Sequence, residues 1–213
     1  MSSCGHDFLK FAFDRNVLRF GEFKTKAGRV SPYFFNSGLF NSGEDLRMLG
    51  QFYAETILQS GLVFDVLFGP AYKGIPLASA TAIALAEKNV NVPIAFNRKE
   101  PKTHGEKGSI IGGNLNGRVL VVDDVISAGT SINEAQNLIT KEGGKLAGIC
   151  IAIDRMERGS GNLSAVKEVE RKTGTNVFSI SNLNNIIDYL ADDPLNNNKL
   201  ESLKAYKKKY GAD

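Results

Sequence analysis

The chain has 213 residues, 42% of them hydrophobic and 23% charged, which is the composition of one soluble globular domain and excludes a disordered or fibrous protein. Its net charge of +3 is too small for a nucleic-acid coat or a membrane-surface binder, though it leaves room for a local anion site. Two cysteines, Cys4 and Cys150, and two histidines, His6 and His104, exclude a disulfide scaffold and a structural zinc site.

In chain order, the first twenty residues are broken by charges every few positions, so they predict neither a signal peptide nor a membrane span. Unpaired cysteines without an export signal point to the cytoplasm. Val17–Lys24 and Val30–Asn36 flank Ala27-Gly28 and read as a hairpin. Ser42–Gln59 reads as a helix, with a capping-box start from Ser42 to Asp45 and an apolar stripe of Leu46, Leu49, Tyr53 and Ile57.

From about residue 62 to 181, short apolar runs alternate with helical patterns. Strands are expected at Val63–Phe68, Val92–Phe96, Arg118–Asp123, Leu146–Ile153 and Val177–Ile180, apolar on consecutive positions as strands covered on both faces are. Helices are expected at Ile75–Lys88, Ser131–Glu142 and about Leu163–Lys172. This β-α-β alternation predicts an α/β fold with a parallel, helix-covered sheet. Asp193-Pro194 starts a C-terminal helix whose Lys207-Lys208-Lys209 run reads as a solvated end that suits the dipole, not a nucleic-acid site.

The sharpest segment is Arg118–Ser131. A buried strand delivers Asp123 and Asp124 to its carboxyl end, where ligands of open α/β sheets sit. The turn Ser127-Ala128-Gly129-Thr130-Ser131 then opens a helix, offering backbone N–H groups and three hydroxyls to an anion. Taken alone, such a turn is usually a capped helix start. Two carboxylates beside a phosphate cradle make sense when they hold another part of the same ligand, sugar hydroxyls or a hydrated metal, and a ribose 5-phosphate fits both halves. No GxxxxGK[ST] run occurs. Gly159–Ser164 misses GxGxxG at its last position, and no acid ends the next strand, so a dinucleotide site is rejected.

Gly69–Gly74 also follows a strand; its glycines permit close backbone approach and Lys73 adds a point charge. Asn97–Gly113 reads as a long charged loop between strands, with Arg98, Lys99, Lys102, His104 and Lys107 outnumbering Glu100 and Glu106, and beside these motifs a cationic lid over a polyphosphate is the better reading. Arg155 follows a strand, where a guanidinium fork suits a planar carboxylate. Tyr33 and Phe40 read as core aromatics.

The stretch VVDDVISAGTS resembles the phosphoribosyl-pyrophosphate (PRPP) signature of the type I phosphoribosyltransferases. With FGEFKTKAGRVSPYFFNSGLF, FGPAYKGIPLA, FNRKEPKTHGEKG and the Arg155 region, nearly the whole chain is similar to the orotate phosphoribosyltransferase family in particular. The resemblance implies a type I phosphoribosyltransferase-like fold in one domain: an N-terminal hood over about 1–40, a parallel-sheet core over about 60–181, C-terminal helices over about 182–213, and a flexible lid. It implies PRPP contacts at Lys26, Tyr72, Lys73, Arg98, Lys99, Lys102, His104, Asp123, Asp124, Val125, Ile126, Ser127, Ala128, Gly129, Thr130 and Ser131. Among these, Lys26, Lys73, Lys102, Asp123 and Asp124 are expected to be catalytic.

Orotate is expected at Phe34, Phe35, Ser127 and Arg155; Ser127 stands where the family often has Thr, and keeps the hydroxyl. Mg²⁺ dependence, with the metal held mainly by substrate oxygens, and a homodimer sharing the lid between subunits are further implications. The rival readings are a phosphoribosyltransferase for another base, which has no need of Arg155, and a PRPP-sensing regulator, which wants a more basic face.

Overall fold

The computed structural model describes residues 3–25, 28–102 and 108–212. Helix α1 (Ser3–Asp14) leads into an antiparallel ribbon of β1 (Leu18–Lys24) and β2 (Val30–Phe35), then α2 (Gly43–Gln59). The core follows as β3 (Val66–Gly69), α3 (Gly74–Glu87), β4 (Ile94–Lys102), β5 (Gly108–Gly112), β6 (Arg118–Asp123), α4 (Thr130–Lys141), β7 (Lys145–Asp154), α5 (Ala165–Thr173) and β8 (Val177–Asn182). Helices α6 (Leu183–Ala191) and α7 (Asn197–Tyr210) complete it, with a 3₁₀ turn at Pro194–Asn196 before α7. Among the described residues no helix is long and apolar enough to cross a membrane.

The six-stranded sheet has the order β5-β4-β3-β6-β7-β8, and all neighbours are parallel except β4 and β5. The apolar runs are explained by two cores, one on each face. Along β6, Leu120 and Val122 enter the core shared with α1, α2, α3 and α6, while Val119 and Val121 enter the core shared with α4 and α5. All four are fully buried, so every position of the strand must be apolar. The chain passes from β3 to β4 on one side, whereas β6 lies on the other side of β3. The carboxyl ends of β3 and β6 therefore flank the switch point, where a crevice opens in such sheets.

The expected capping box is present: Asp45 N–H donates to Ser42 Oγ at 3.1 Å, and Ser42 N–H donates to Asp45 Oδ2. Arg15 also donates to Asp45 at 2.6 Å, and this contact holds the buried carboxyl below its usual range. Two segments differ from expectation. Helix α1 was not anticipated, although Cys4, Phe8, Leu9 and Ala12 make a helical stripe that packs in the core. The region read as a loop after Asn97 is instead largely strand: β4 runs on to Lys102 and pairs with β5, with Asn97 opposite Ile110 and Lys102 opposite Gly108. Its polar run lacks the alternation that marks a strand, because this part lies past the sheet. Strand β3 pairs with β4 only as far as Gly69 opposite Phe96, so the ribbon projects beyond the carboxyl edge. Tyr33 and Phe40 are core residues, as expected.

The glycines that bracket the 70–73 loop meet each other. A Cβ on Gly69 would run into the Gly74 carbonyl, and one on Gly74 into the Gly69 backbone and the Pro70 ring. Gly69→Ala is therefore expected to destabilise the fold by about 2–4 kcal/mol. Gly43→Ala, whose Cβ meets nothing within 4 Å, should stay within about 0.5 kcal/mol of the parent. Urea denaturation of both variants measures the difference.

Candidate active site

Strand β6 ends on Asp123, and Asp124 follows; both are buried, at 8% and 6% exposure. Their backbone is fixed from two sides. The Tyr53 hydroxyl, from α2, donates to the Asp123 carbonyl at 2.8 Å, and Ala152 N–H, on β7, donates to the Asp124 carbonyl at 3.0 Å. The side chains are distinct. Asp123 accepts from the Asp124 N–H at 2.9 Å and from Ser131 Oγ at 3.0 Å. Asp124 accepts from Val125 N–H at 2.9 Å, while its Oδ2 accepts from Lys73 Nζ and from Ser37 Oγ, each at 2.6 Å. Burial, with the Asp124 charge beside it, pushes the Asp123 carboxyl up to about 6.

The turn after the acids opens α4 with Gly129 as N-cap, in the left-handed region at φ 69°. Gly129 is required twice, since a Cβ there would also strike Val169 on α5. No side chain caps the helix. The hydroxyl reading is thus modified: Ser131 turns back to Asp123, and the first N–H groups of α4 have no side-chain acceptor, which suits an anion. Ser127, Ala128, Thr130 and Ser131 are exposed, whereas Val125 and Ile126 pack inward and contribute backbone.

Across the switch point, the 70–73 loop is held by the Asn97 side chain, which accepts from Ala71 N–H at 2.7 Å. Tyr72 is 71% exposed, and Lys99 Nζ lies 5.9 Å from its ring centroid. A cavity of about 250 Å³ separates this loop from α4, lined by Pro70, Ala71, Asn97, Lys99, Thr130 and Ser131 among others. Arg98 is half-buried on β4. Lys102 ends β4, and its side chain lies outside the described residues, as do Lys26 and His104.

Arg155 follows β7 and is mostly buried. Its guanidinium lies 4.3 Å from the Tyr33 ring centroid, and Nη2 donates to Ser31 Oγ at 3.1 Å. Ser31, Tyr33 and Phe35 share the buried face of β2; Phe34 stands on the other face, 39% exposed and stacked on Phe23 at 5.4 Å. The two phenylalanines expected to line one pocket therefore point apart, because successive strand residues do. Phe35 is on the Arg155 side. Ser37, Tyr53, Asn97 and Ser31 were not singled out from the sequence; each acts across long chain separations, and only Tyr53, a hydroxyl in an apolar stripe, carried a local sign.

A family profile described as "Phosphoribosyl transferase domain" matches residues 42–182. Orotate phosphoribosyltransferase of Neisseria meningitidis serogroup C is 56% identical over 213 residues, covering 100% of both chains. The chain belongs to the orotate phosphoribosyltransferase family. The corresponding protein of Pseudomonas fluorescens (strain Pf0-1) is also 56% identical, over 99% of this chain and 100% of that one. The crystal structure of orotate phosphoribosyltransferase from Francisella tularensis superposes with a TM-score of 0.88 at 40% identity, covering 97% of this chain and all of that one. The fold is thus that of the type I phosphoribosyltransferases, and the chain is a pentosyltransferase enzyme.

The raised Asp123 pKa carries a stability consequence. An acid whose folded pKa lies above its unfolded value near 3.8 leaves the fold unpenalised below that value, and costs stability as pH rises through the folded pKa. Asp123→Asn should therefore stabilise the protein at pH 8, on the order of 2 kcal/mol. The gain should vanish near pH 4, and thermal melts at the two pH values check it.

Proposed function

We propose that the chain transfers the ribose 5-phosphate group of PRPP to N1 of orotate, giving orotidine 5′-monophosphate and diphosphate, a reaction of pyrimidine biosynthesis. The observation that carries the site assignment is the buried acid pair beside an uncapped helix start, facing Lys73 across the switch point. As the bond at C1 breaks, positive charge builds on the ribose and negative charge on the leaving diphosphate, and catalysis must stabilise both. Asp123 and Asp124 hold the ribose hydroxyls and favour its cationic character. The 125–131 turn holds the 5′-phosphate, whose binding energy orients the reacting centre. Lys73, with Arg98 and Lys99 on β4, holds the diphosphate together with Lys26, Lys102 and His104. Before PRPP arrives, the Lys73–Asp124 pair keeps each charge partnered; a polyanion draws Lys73 away and frees the carboxylate for the sugar.

The donor set fits Mg²⁺. Two adjacent carboxylates at a strand end, with no cluster of three ligating side chains among the described residues, suit an ion that keeps substrate oxygens and water as most of its ligands. Asp124, with Asp123, is the residue that would hold it, and the ion would neutralise charge on the leaving diphosphate.

Arg155 supports orotate over other bases, since a buried guanidinium on an aromatic face discriminates a carboxylated ring from uracil or a purine. Phe35 lies on the same face of β2 and supplies the apolar wall, while Phe34 would have to act from the opposite face. Ser127, exposed in the turn between β6 and α4, would meet the base with its hydroxyl. We place the enzyme in the cytoplasm, with residues about 1–40 as a hood over the site. It acts as a homodimer in which the projecting β4–β5 ribbon crosses to the neighbouring subunit.

With PRPP, Mg²⁺ and a panel of bases, diphosphate release should require orotate; release with adenine, uracil or no base would point to the rival readings. Mixing inactive Lys73→Ala and Lys102→Ala chains should restore roughly a quarter of wild-type sites, since half of a random mixture is mixed dimer and each holds one intact site. Verified mixed dimers that stay inactive would refute the crossing.

A further inference from the structure

Two charged side chains beside Arg155, Glu157 and its partner Arg29, are left unused by the transfer chemistry. Glu157 lies two residues beyond Arg155, and its Oε1 accepts from Arg155 Nε at 2.8 Å and Nη2 at 2.5 Å. Its Oε2 accepts from Arg29 Nη1 at 3.3 Å. The three side chains are only 12–19% exposed. Arg29 roots the hairpin turn: its N–H donates to Thr25 Oγ1 at 3.1 Å, and its carbonyl accepts from Thr25 N–H at 2.8 Å. Arg29 Nη2 also donates to the Arg158 carbonyl at 2.8 Å, so the hairpin and the strand end are joined twice.

We propose that Glu157 is a positioning residue for the base: it aims Arg155 at the orotate carboxylate and ties that arginine to the hairpin through Arg29. The inference rests on the orotate reading above. Three restraints act on one rigid guanidinium. Tyr33 lies against its face, and Glu157 and Ser31 take the Nε/Nη2 edge. The Nη1 end is thereby held in one direction, ready for a second carboxylate. The charge count agrees. Two guanidiniums and one carboxylate leave one positive unit in a largely dry cluster, which one substrate carboxylate neutralises. Without Glu157 the two cations face each other unneutralised, and only Tyr33 and Ser31 are left to orient Arg155.

A residue that merely held the fold would affect both substrates alike. Steady-state kinetics of full-length Glu157→Ala should show the orotate KM raised about tenfold or more, the effect of losing one charge-assisted hydrogen bond, with the PRPP KM changed by less than about twofold. Glu157→Gln keeps an oxygen for Arg155 but turns an amide on Arg29, so it should fall between, near threefold. Should the alanine variant not fold, the glutamine variant alone decides the matter. Arg29→Met should raise the orotate KM in the parent and add nothing in the Glu157→Ala background, since the two act through one link. Parallel loss of both substrates, or no loss of either, would overturn the positioning role. Additive effects in the double variant would overturn the tie to the hairpin. A wild-type chain that binds PRPP but never uses orotate would instead overturn the reading on which this inference stands.

Discussion

The structure turns on how two adjacent carboxylates are kept at the buried end of a strand. Placing acids at 8% and 6% exposure is costly, and like charges side by side add to the cost. The surrounding elements each offset part of it. Helix α4 sends Ser131 to Asp123; the turn before α3 sends Lys73, and the turn after β2 sends Ser37, to Asp124; α2 and β7 hold the backbone through Tyr53 and Ala152. The remaining strain shows in the raised Asp123 pKa. A ligand that supplied partners for these carboxylates would recover part of that cost. Stability is given up where binding needs it.

That arrangement requires the parallel sheet. Only a strand covered on both faces can carry acids to a point where loops from β3 and β6 open in opposite directions, and only small residues let those loops approach. Gly69 and Gly74 lie against each other, and Gly129 lies against Val169. These glycines act through packing as much as through contact with a ligand. The β4–β5 ribbon then extends the sheet edge beyond the crevice.

The Arg155 side is organised differently. Arg155 is embedded among Tyr33, Ser31 and Glu157, and through Glu157 reaches Arg29 on the hairpin. The acid pair and its turn are built from loops of the parallel sheet, and the Arg155 cluster from contact between the hairpin and the end of β7. Both hairpin and sheet meet at Asp124, through Ser37. The hairpin side and the sheet side of the crevice thus share one structural junction.

Local sequence was enough for the parallel core, the acid pair and the turn after it. A doubly buried strand must be apolar at every position, and an acid pair followed by small residues and a helical stripe has few other uses; β6 spans Arg118–Asp123 as the pattern implied. The capping box of α2 was equally local. What tertiary structure alone decided is which distant groups meet these residues. Ser37 and Asp124 are 87 positions apart, and Arg29 and Glu157 are 128; no periodicity or spacing encodes such pairings. The split between Phe34 and Phe35, and the strand character of the charged run after Asn97, were likewise settled by packing. A side chain's face and a polar strand's partner depend on what the rest of the chain brings alongside.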